Sequence, residues 1–242
     1  MTAKWIFFDL DDTLFDFSSA SLFALRKLWD EAPFVSDRFD SADAFISEYH
    51  IHNSAMWDLH ERGLIDSAFL KYERFRLTLA PGMTDDATIG ICRELNDRYL
   101  STLGGCPLPC PGAERLLKRL SARYLIGVLT NGFSEVQYRK LKATHLDRYI
   151  QRMVISDETG IQKPDPRLFR YAEAATGALP ENAVMIGDNP RNDIQGAIDA
   201  GWHAIYFDRK GKPFASESEL YLGRITDLES AEALLERPDL RM

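Results

Sequence analysis

The stretch Trp5-Ile6-Phe7-Phe8-Asp9-Leu10-Asp11-Asp12-Thr13-Leu14-Phe15 decides the fold. Four consecutive apolar residues bounded by acids predict a short strand buried on both faces, as strands of a parallel sheet are. The acids then fall at the C-terminal end of that strand, where ligands bind in open α/β sheets. Alternate residues of an extended segment share a face, so Asp9 and Asp11 point the same way. Burying like charges this close without partners costs on the order of several kcal/mol. Two readings follow. Either the acids face water as a turn, with Asp12 and Thr13 capping what comes next, or a cation sits among them and the pair supplies an oxygen nucleophile and a proton carrier.

Beyond Phe15 the strand pattern stops. Leu22, Leu25, Leu28 and Trp29 form one apolar stripe near the 3.6 period, Phe45, Tyr49, His52, Met56 and Leu59 a second, Phe69, Tyr72, Phe75 and Leu79 a third, and Ile89, Cys92, Leu95, Tyr99 and Leu103 a fourth. Breaks fall at Pro33, Gly63, Pro81-Gly82 and Gly104-Gly105. Residues 17–103 therefore predict an all-helical domain inserted after the first strand.

From Pro107 strands and helices alternate. Helices are expected from Pro111 to Leu120, Ser134 to Thr144, Pro166 to Thr176, Asp193 to Ala200 and Ser230 to Glu236. Strands are expected at Tyr124 to Leu129, Met153 to Ile155, Ala183 to Ile186 and His203 to Phe207. Such alternation predicts an α/β domain, a Rossmann-like parallel sheet with helices on both faces, formed by residues 1–16 and 104–242.

At 242 residues the chain is long enough for two lobes. Its 29 basic and 37 acidic side chains give a net charge of −8, which argues against a nucleic-acid polymer as partner. An acidic chain that acts on anions must concentrate positive charge locally, through a metal or a few placed Lys and Arg. No stretch is apolar for long enough to span a membrane, and Met1-Thr2-Ala3-Lys4 carries no signal-peptide pattern, so a cytoplasmic location is expected. The expected assembly is a monomer or homodimer. Cys92, Cys106 and Cys110 lack metal-ligand spacing and are expected to be reduced thiols. No spacing pairs two of the five histidines with a third zinc ligand.

Three predicted strands end in polar residues on one edge of the sheet: Asp9 and Asp11, then Thr130 and Asn131, then Asp188. With these residues in view the sequence resembles the haloacid dehalogenase superfamily of hydrolases. All four motifs of that family have matches in its order: Asp9 to Thr13, Thr130-Asn131-Gly132, the lysine of Gln162-Lys163-Pro164, and Gly187-Asp188 with Asp193.

The resemblance implies a phosphoryl-transfer site. Asp9 would be the nucleophile and Asp11 the acid and base. Mg²⁺ would sit between the Asp9 carboxylate, the Asp11 carbonyl and Asp188, with Asp193 as a further ligand or as the holder of a metal-bound water. Lys163, Thr130 and Asn131 would serve the phosphoryl group and the nucleophile. Asn189, Arg191 and Asn192 are expected to form the turn and cap the helix that follows. A helical insertion between the first and second motifs resembles the capped subgroup, whose members act on small phosphorylated metabolites. Asn53, Trp57 and Arg74, with Gly63 and Gly160 to Asp165, look like its pyrimidine 5′-nucleotidase branch. There Trp57 would stack on a base or ribose and Arg74 would approach the phosphate. A sugar-phosphate phosphatase or phosphomutase differs mainly in cap contacts. A haloacid dehalogenase lacks the second aspartate, which Asp11 supplies here, and a phospho-aspartate switch is short and has no large cap.

Overall fold

Trp5–Phe8 forms strand β1, and all four of its residues are buried. A helical segment follows: α1 (Phe17–Glu31), α2 (Pro33–Ser36), α3 (Ala42–Glu61), α4 (Ser67–Leu79) and α5 (Asp86–Gly104). The chain then alternates through α6 (Ala113–Leu120), β2 (Leu125–Thr130), α7 (Ser134–Ala143), β3 (Arg152–Ile155), α8 (Ser156–Thr159), α9 (Pro166–Thr176), β4 (Ala183–Gly187), α10 (Gly196–Asp199), β5 (His203–Phe207), β6 (Tyr221–Ile225) and α11 (Ala231–Leu235). The computed structural model describes residues 4–236. The reading of Met1-Thr2-Ala3, and the last residues of the expected 104–242 segment, lie outside the described residues.

The chain divides into two units, Met1–Phe17 with Pro107–Met242, and Ser18–Cys106. In the first, six strands run parallel in the order β3-β2-β1-β4-β5-β6. Parallel strands need long crossovers, and helices supply all of them except the irregular 208–220 connection to β6, so β1 at the centre is covered on both faces. This explains its unbroken apolar run. Phe7 pairs in register with Gly127 of β2 and Met185 of β4. A Cβ at Gly127 would stand 2.4 Å from the Phe7 ring, so the neighbouring strand must carry glycine there. On one face Phe7, Phe169, Met185 and Trp202 pack together, with the Phe7 and Trp202 ring centroids 4.7 Å apart.

The second unit is built from helices whose starts follow the capping rule. Ser41, Asp66 and Asp85 accept hydrogen bonds from Ala44, Phe69 and Thr88 N–H at the heads of α3, α4 and α5. Phe45, Tyr49, Phe75 and Tyr99 fill its interior, with Tyr49 and Phe75 centroids 5.0 Å apart. Two members of the expected stripes are exposed, Leu22 and Phe69. The buried face of α1 runs through Ala20, Ser21, Ala24, Leu25 and Leu28, and Leu22 lies one position round the helix from it.

Three expectations in the first unit are corrected. The helix expected over Asp193 to Ala200 begins as a π-helical turn at Pro190 and becomes α10 only at Gly196, because the Asn189 side chain caps Arg191 and Asn192 N–H and starts the turn early. The final helix opens with a tight turn at Leu228–Ser230. Strand β6 was not expected: it is short, contains Gly223 and Arg224, and shifts register against β5 between Ala204 and Ile205.

Candidate active site

The chain leaves β1 at Asp9, whose N–H donates to Ile186 O at 2.9 Å and extends the pairing with β4 by one residue. It then winds back: Leu14 and Phe15 N–H both donate to Leu10 O, and Asp12 N–H donates to Phe15 O. Asp12 sits at φ 57, a left-handed conformation that Asp tolerates better than most residues. Its buried carboxylate accepts from Lys210 Nζ at 2.6 Å and lies 3.5 Å from the Arg209 guanidinium. The turn that carries Asp11 is thus closed by cations from the segment after β5. Asp208 shapes that segment by accepting from Lys210 and Lys212 N–H and pairing with Arg224 of β6 at 2.6 Å.

Lys163 comes from the loop between α8 and α9. The Asn131 side chain at the end of β2 donates to Lys163 O and accepts from Lys163 N–H. The buried ammonium directs its three protons to Asp9 Oδ1 at 2.7 Å, Asp193 Oδ1 at 2.6 Å and Leu129 O at 2.7 Å. Burial works against this cation, but the Asp193 and Asp9 carboxylates outweigh it and hold its pKa above the ordinary lysine range. Asp193 Oδ2 accepts from Asn189 N–H at 2.9 Å. A Cβ at Gly187 would stand 2.2 Å from that same oxygen, so Gly187 is what lets Asp193 lie against the end of β4.

Oxygens of Asp9, Asp188 and Asp193 lie within 4.8 Å of one another. Burial, with the neighbouring carboxylates adding to it, lifts the Asp9 pKa well above the usual carboxylate range against the pull of Lys163. Burial and then Asp193 push Asp188 up to about 7. Among the described residues Lys163 is the one ammonium hydrogen-bonded within the cluster, and Lys210, already paired with Asp12, stands 3.9 Å from Asp188, so the three carboxylates keep an excess of negative charge. Clustered hard oxygen donors of this kind fit a divalent cation, Mg²⁺ among those that favour carboxylate oxygen. Among the three, Asp193 has both oxygens engaged by the protein, one by Lys163 and one by Asn189.

Thr130, the last residue of β2, is fully buried, and its Oγ1 accepts from Gln137 Nε2 at 2.8 Å. The Asp11 carboxylate accepts from Lys140 Nζ at 2.6 Å and 2.9 Å and from Gln137 Nε2 at 3.1 Å. The unit therefore brings together Asp9, Asp11, Thr130, Asn131, Lys163, Asp188 and Asp193. Sequence reasoning missed Gln137, Lys140 and Lys210. The signal for the first two was available: they are three residues apart on the helix that leaves the Thr130 strand end, and so share a face. Lys210 has no such local signature.

Asn53, Trp57 and Arg74 lie in the helical unit. Arg74, expected to approach a phosphate, is buried there and donates to Asn53 Oδ1 at 2.9 Å and Asn96 Oδ1 at 2.7 Å. Its guanidinium also lies 5.2 Å from the Tyr99 ring centroid and 5.8 Å from that of Tyr49. Trp57 is half-buried on α3, its ring 5.6 Å from that of His60. Asn189 takes the capping role expected of it. The three thiols are free and buried, and no helix among the described residues is long and apolar enough to cross a membrane.

Residues 3–201 match the family described as haloacid dehalogenase-like hydrolase. The chain is 34% identical over 207 residues to the pyrimidine 5′-nucleotidase YjjG of Escherichia coli (strain K12), covering 83% of this chain and 84% of that one. It is 41% identical over 145 residues to a phosphoserine phosphatase of Thermus thermophilus, covering 59% of this chain and 58% of the other. A crystal structure of the HAD-hydrolase YfnB of Bacillus subtilis bound to magnesium superposes with a TM-score of 0.81 at 25% identity, over 98% of this chain and 100% of that one. The parallel sheet with its strand-end carboxylates and these likenesses lead to one assignment: the chain belongs to the haloacid dehalogenase-like hydrolases.

Proposed function

We propose that this enzyme is a Mg²⁺-dependent phosphomonoesterase of the cytoplasm that acts on small phosphorylated metabolites, among them pyrimidine nucleoside 5′-monophosphates, through an aspartyl-phosphate. The observation that carries the reading is Asp9: a buried carboxylate at the end of the central strand, held by Lys163 and grouped with Asp188 and Asp193. In the first step an Asp9 oxygen attacks phosphorus, the ester P–O bond breaks, and the Asp11 proton passes to the leaving oxygen. In the second, water attacks phosphorus, the Asp9 O–P bond breaks, and Asp11 takes the proton from water. Each half restores what the other uses.

Lys163 holds the nucleophile and presents positive charge to the transferring oxygens, and the Thr130 hydroxyl donates to the same group. Asn131 acts through Lys163 by holding its main chain. Asp9, Asp188 and the Asp11 carbonyl, backed by Asp193, would hold Mg²⁺, which when bound neutralises charge on the phosphate and on the clustered carboxylates. In the helical unit Trp57 is the proposed base contact, with Asn53 and Arg74 setting the helices behind it. The likeness to the Escherichia coli pyrimidine 5′-nucleotidase supports the nucleotide part of the reading.

The test is phosphate release from pyrimidine and purine nucleoside monophosphates, sugar phosphates and phosphoserine, each with Mg²⁺ and with EDTA. Metal-dependent release favouring UMP, dUMP or dTMP is expected, and Trp57→Ala should raise KM for these more than for sugar phosphates. Preference for sugar phosphates or phosphoserine would discard the nucleotidase reading and keep the chemistry. Release that EDTA leaves untouched would discard the metal.

A further inference from the structure

Helix α7 places two side chains, one turn apart, on the strand-end turn. Lys140 is 3% exposed and its ammonium makes three hydrogen bonds: to Asp11 Oδ1 at 2.6 Å, Asp11 Oδ2 at 2.9 Å and Gln137 Oε1 at 2.8 Å. Gln137 is 1% exposed and directs its two amide protons to Thr130 Oγ1 at 2.8 Å and Asp11 Oδ2 at 3.1 Å. The other side of the ammonium is covered by the rings of Phe15 and Phe17, each centroid 5.2 Å away. Gly132 makes room for this arrangement, since a Cβ there would stand 2.7 Å from Gln137 Nε2.

Burying a lysine is costly, and an ion pair kept for stability alone gains little over apolar packing of the same volume. Here every donor of the two side chains falls on Asp11, on Thr130 or on its fellow. Those two targets are the acid–base group and a phosphate-binding hydroxyl of the proposed reaction.

We propose that Lys140 and Gln137 are positioning residues that lock the Asp11 carboxylate and the Thr130 hydroxyl into one hydrogen-bonded unit, fixing the line along which Asp11 passes its proton to the leaving oxygen. The proposal rests on the phosphomonoesterase reading and extends it to two residues outside the strand-end motifs. They touch neither substrate nor metal. They act by restricting Asp11, and effects of orientation on proton transfer are large.

The experiment compares an alkyl phosphomonoester, 2-glycerol phosphate, with p-nitrophenyl phosphate, whose leaving group departs without a proton. Both are measured at saturating Mg²⁺ for wild type, Lys140→Met, Lys140→Arg and Gln137→Met. Lys140→Met is expected to lower kcat on the alkyl ester by about 100-fold, the usual range for a displaced general acid. The first-turnover burst of p-nitrophenolate should fall by roughly tenfold less than this, with KM for both esters moving by less than about threefold. Lys140→Arg restores part of the alkyl-ester rate. Equal losses on the two esters, or no loss, would overturn the proposal while the wild-type activity upholds the reading beneath it. Wild type that hydrolyses neither ester nor any other phosphate would overturn both. Should Lys140→Met lose its cooperative thermal transition, Gln137→Met, which removes an uncharged side chain and leaves the Lys140–Asp11 ion pair in place, carries the same comparison.

Discussion

Asn131 and Lys163 exchange a reciprocal pair of hydrogen bonds: the Asn131 amide donates to Lys163 O and accepts from Lys163 N–H, each at 2.9 Å. A side chain at the end of β2 thereby fixes the main chain from which the ammonium reaches Asp9 and Asp193. Asn131→Ala removes both bonds and leaves two main-chain groups unsatisfied. It should cost about 1–3 kcal/mol, read from the denaturant midpoint. It should also lower kcat by roughly tenfold or more as the lysine loses its bearing. Full activity with lowered stability would reduce Asn131 to a turn residue.

Asp9→Asn keeps the shape and one acceptor oxygen but removes the nucleophile. Turnover of every phosphomonoester should fall by at least ~10⁴-fold, the scale seen when a covalent nucleophile is deleted. The thermal transition should stay cooperative, because burial raises the pKa of Asp9 and the substitution relieves that burden. Retained turnover in a cleanly folded variant would remove Asp9 from the mechanism.

Gly187→Ala places a methyl group 2.2 Å from Asp193 Oδ2. Asp193 has to move, and Lys163 and Asn189 lose the partner they share. Overpacking of this kind costs about 1–3 kcal/mol. A higher Mg²⁺ concentration for half-maximal activity is expected with it, and an unchanged Mg²⁺ dependence would separate Asp193 from the metal.

In metal-stripped protein Asp188 has its pKa pushed up to about 7 by burial first and Asp193 next, against 3.8 for the free side chain. The native state binds this proton more tightly than the unfolded state does. The contribution of Asp188 is therefore fully present below about pH 4 and is lost as pH rises through about 7. Mg²⁺ stands in for the proton, so it should raise the melting temperature more at about pH 8 than at about pH 5. Asp188→Asn should flatten the pH dependence in EDTA. Equal stabilisation by Mg²⁺ at both pH values would count against Asp188 as a ligand.

Arg74→Met exchanges a buried guanidinium, bonded to Asn53 and Asn96, for an apolar chain of similar length. Two amide oxygens lose their donors, at a cost on the order of 2 kcal/mol. Thermal unfolding should report the loss, with the effect on KM similar for a nucleotide and a sugar phosphate. A selective rise in KM for nucleotides would return Arg74 to substrate binding.

How far the sequence could be read depended on whether the decisive interactions were local. The Trp5–Phe8 run, the helical stripes and the strand–helix alternation each depend on near neighbours, and the parallel sheet follows from them. Asp9 and Asp188 stood out because each sits at a strand end, and Lys163 because it completes the ordered set of motifs. Lys140 and Gln137 lie inside an ordinary amphipathic helix, and only the placement of α7 against the Asp11 turn gives them their partners. Lys210 reaches Asp12 from 198 residues away. Strand β6 escaped because its pairing with β5, register shift included, is what makes it a strand at all. Arg74 reads from the sequence as a phosphate contact, but three aromatic rings and two asparagines of its own unit surround it.

The central position of β1 has a consequence for how the chain comes to be folded. Trp5 is flanked in the sheet by Leu125 and Ala183, both of which lie beyond the whole Ser18–Cys106 unit. On the ribosome the oldest strand is therefore the one that waits longest for company. The helical unit is a continuous stretch in which α3, α4 and α5 pack in succession, so these helices can associate while Trp5–Phe8 is still unpaired. Pairings of such long range are slow to form, and an unpaired apolar strand associates readily with other chains. Nascent chains stalled before Ala183 should accordingly be the form of this protein that depends most on chaperones.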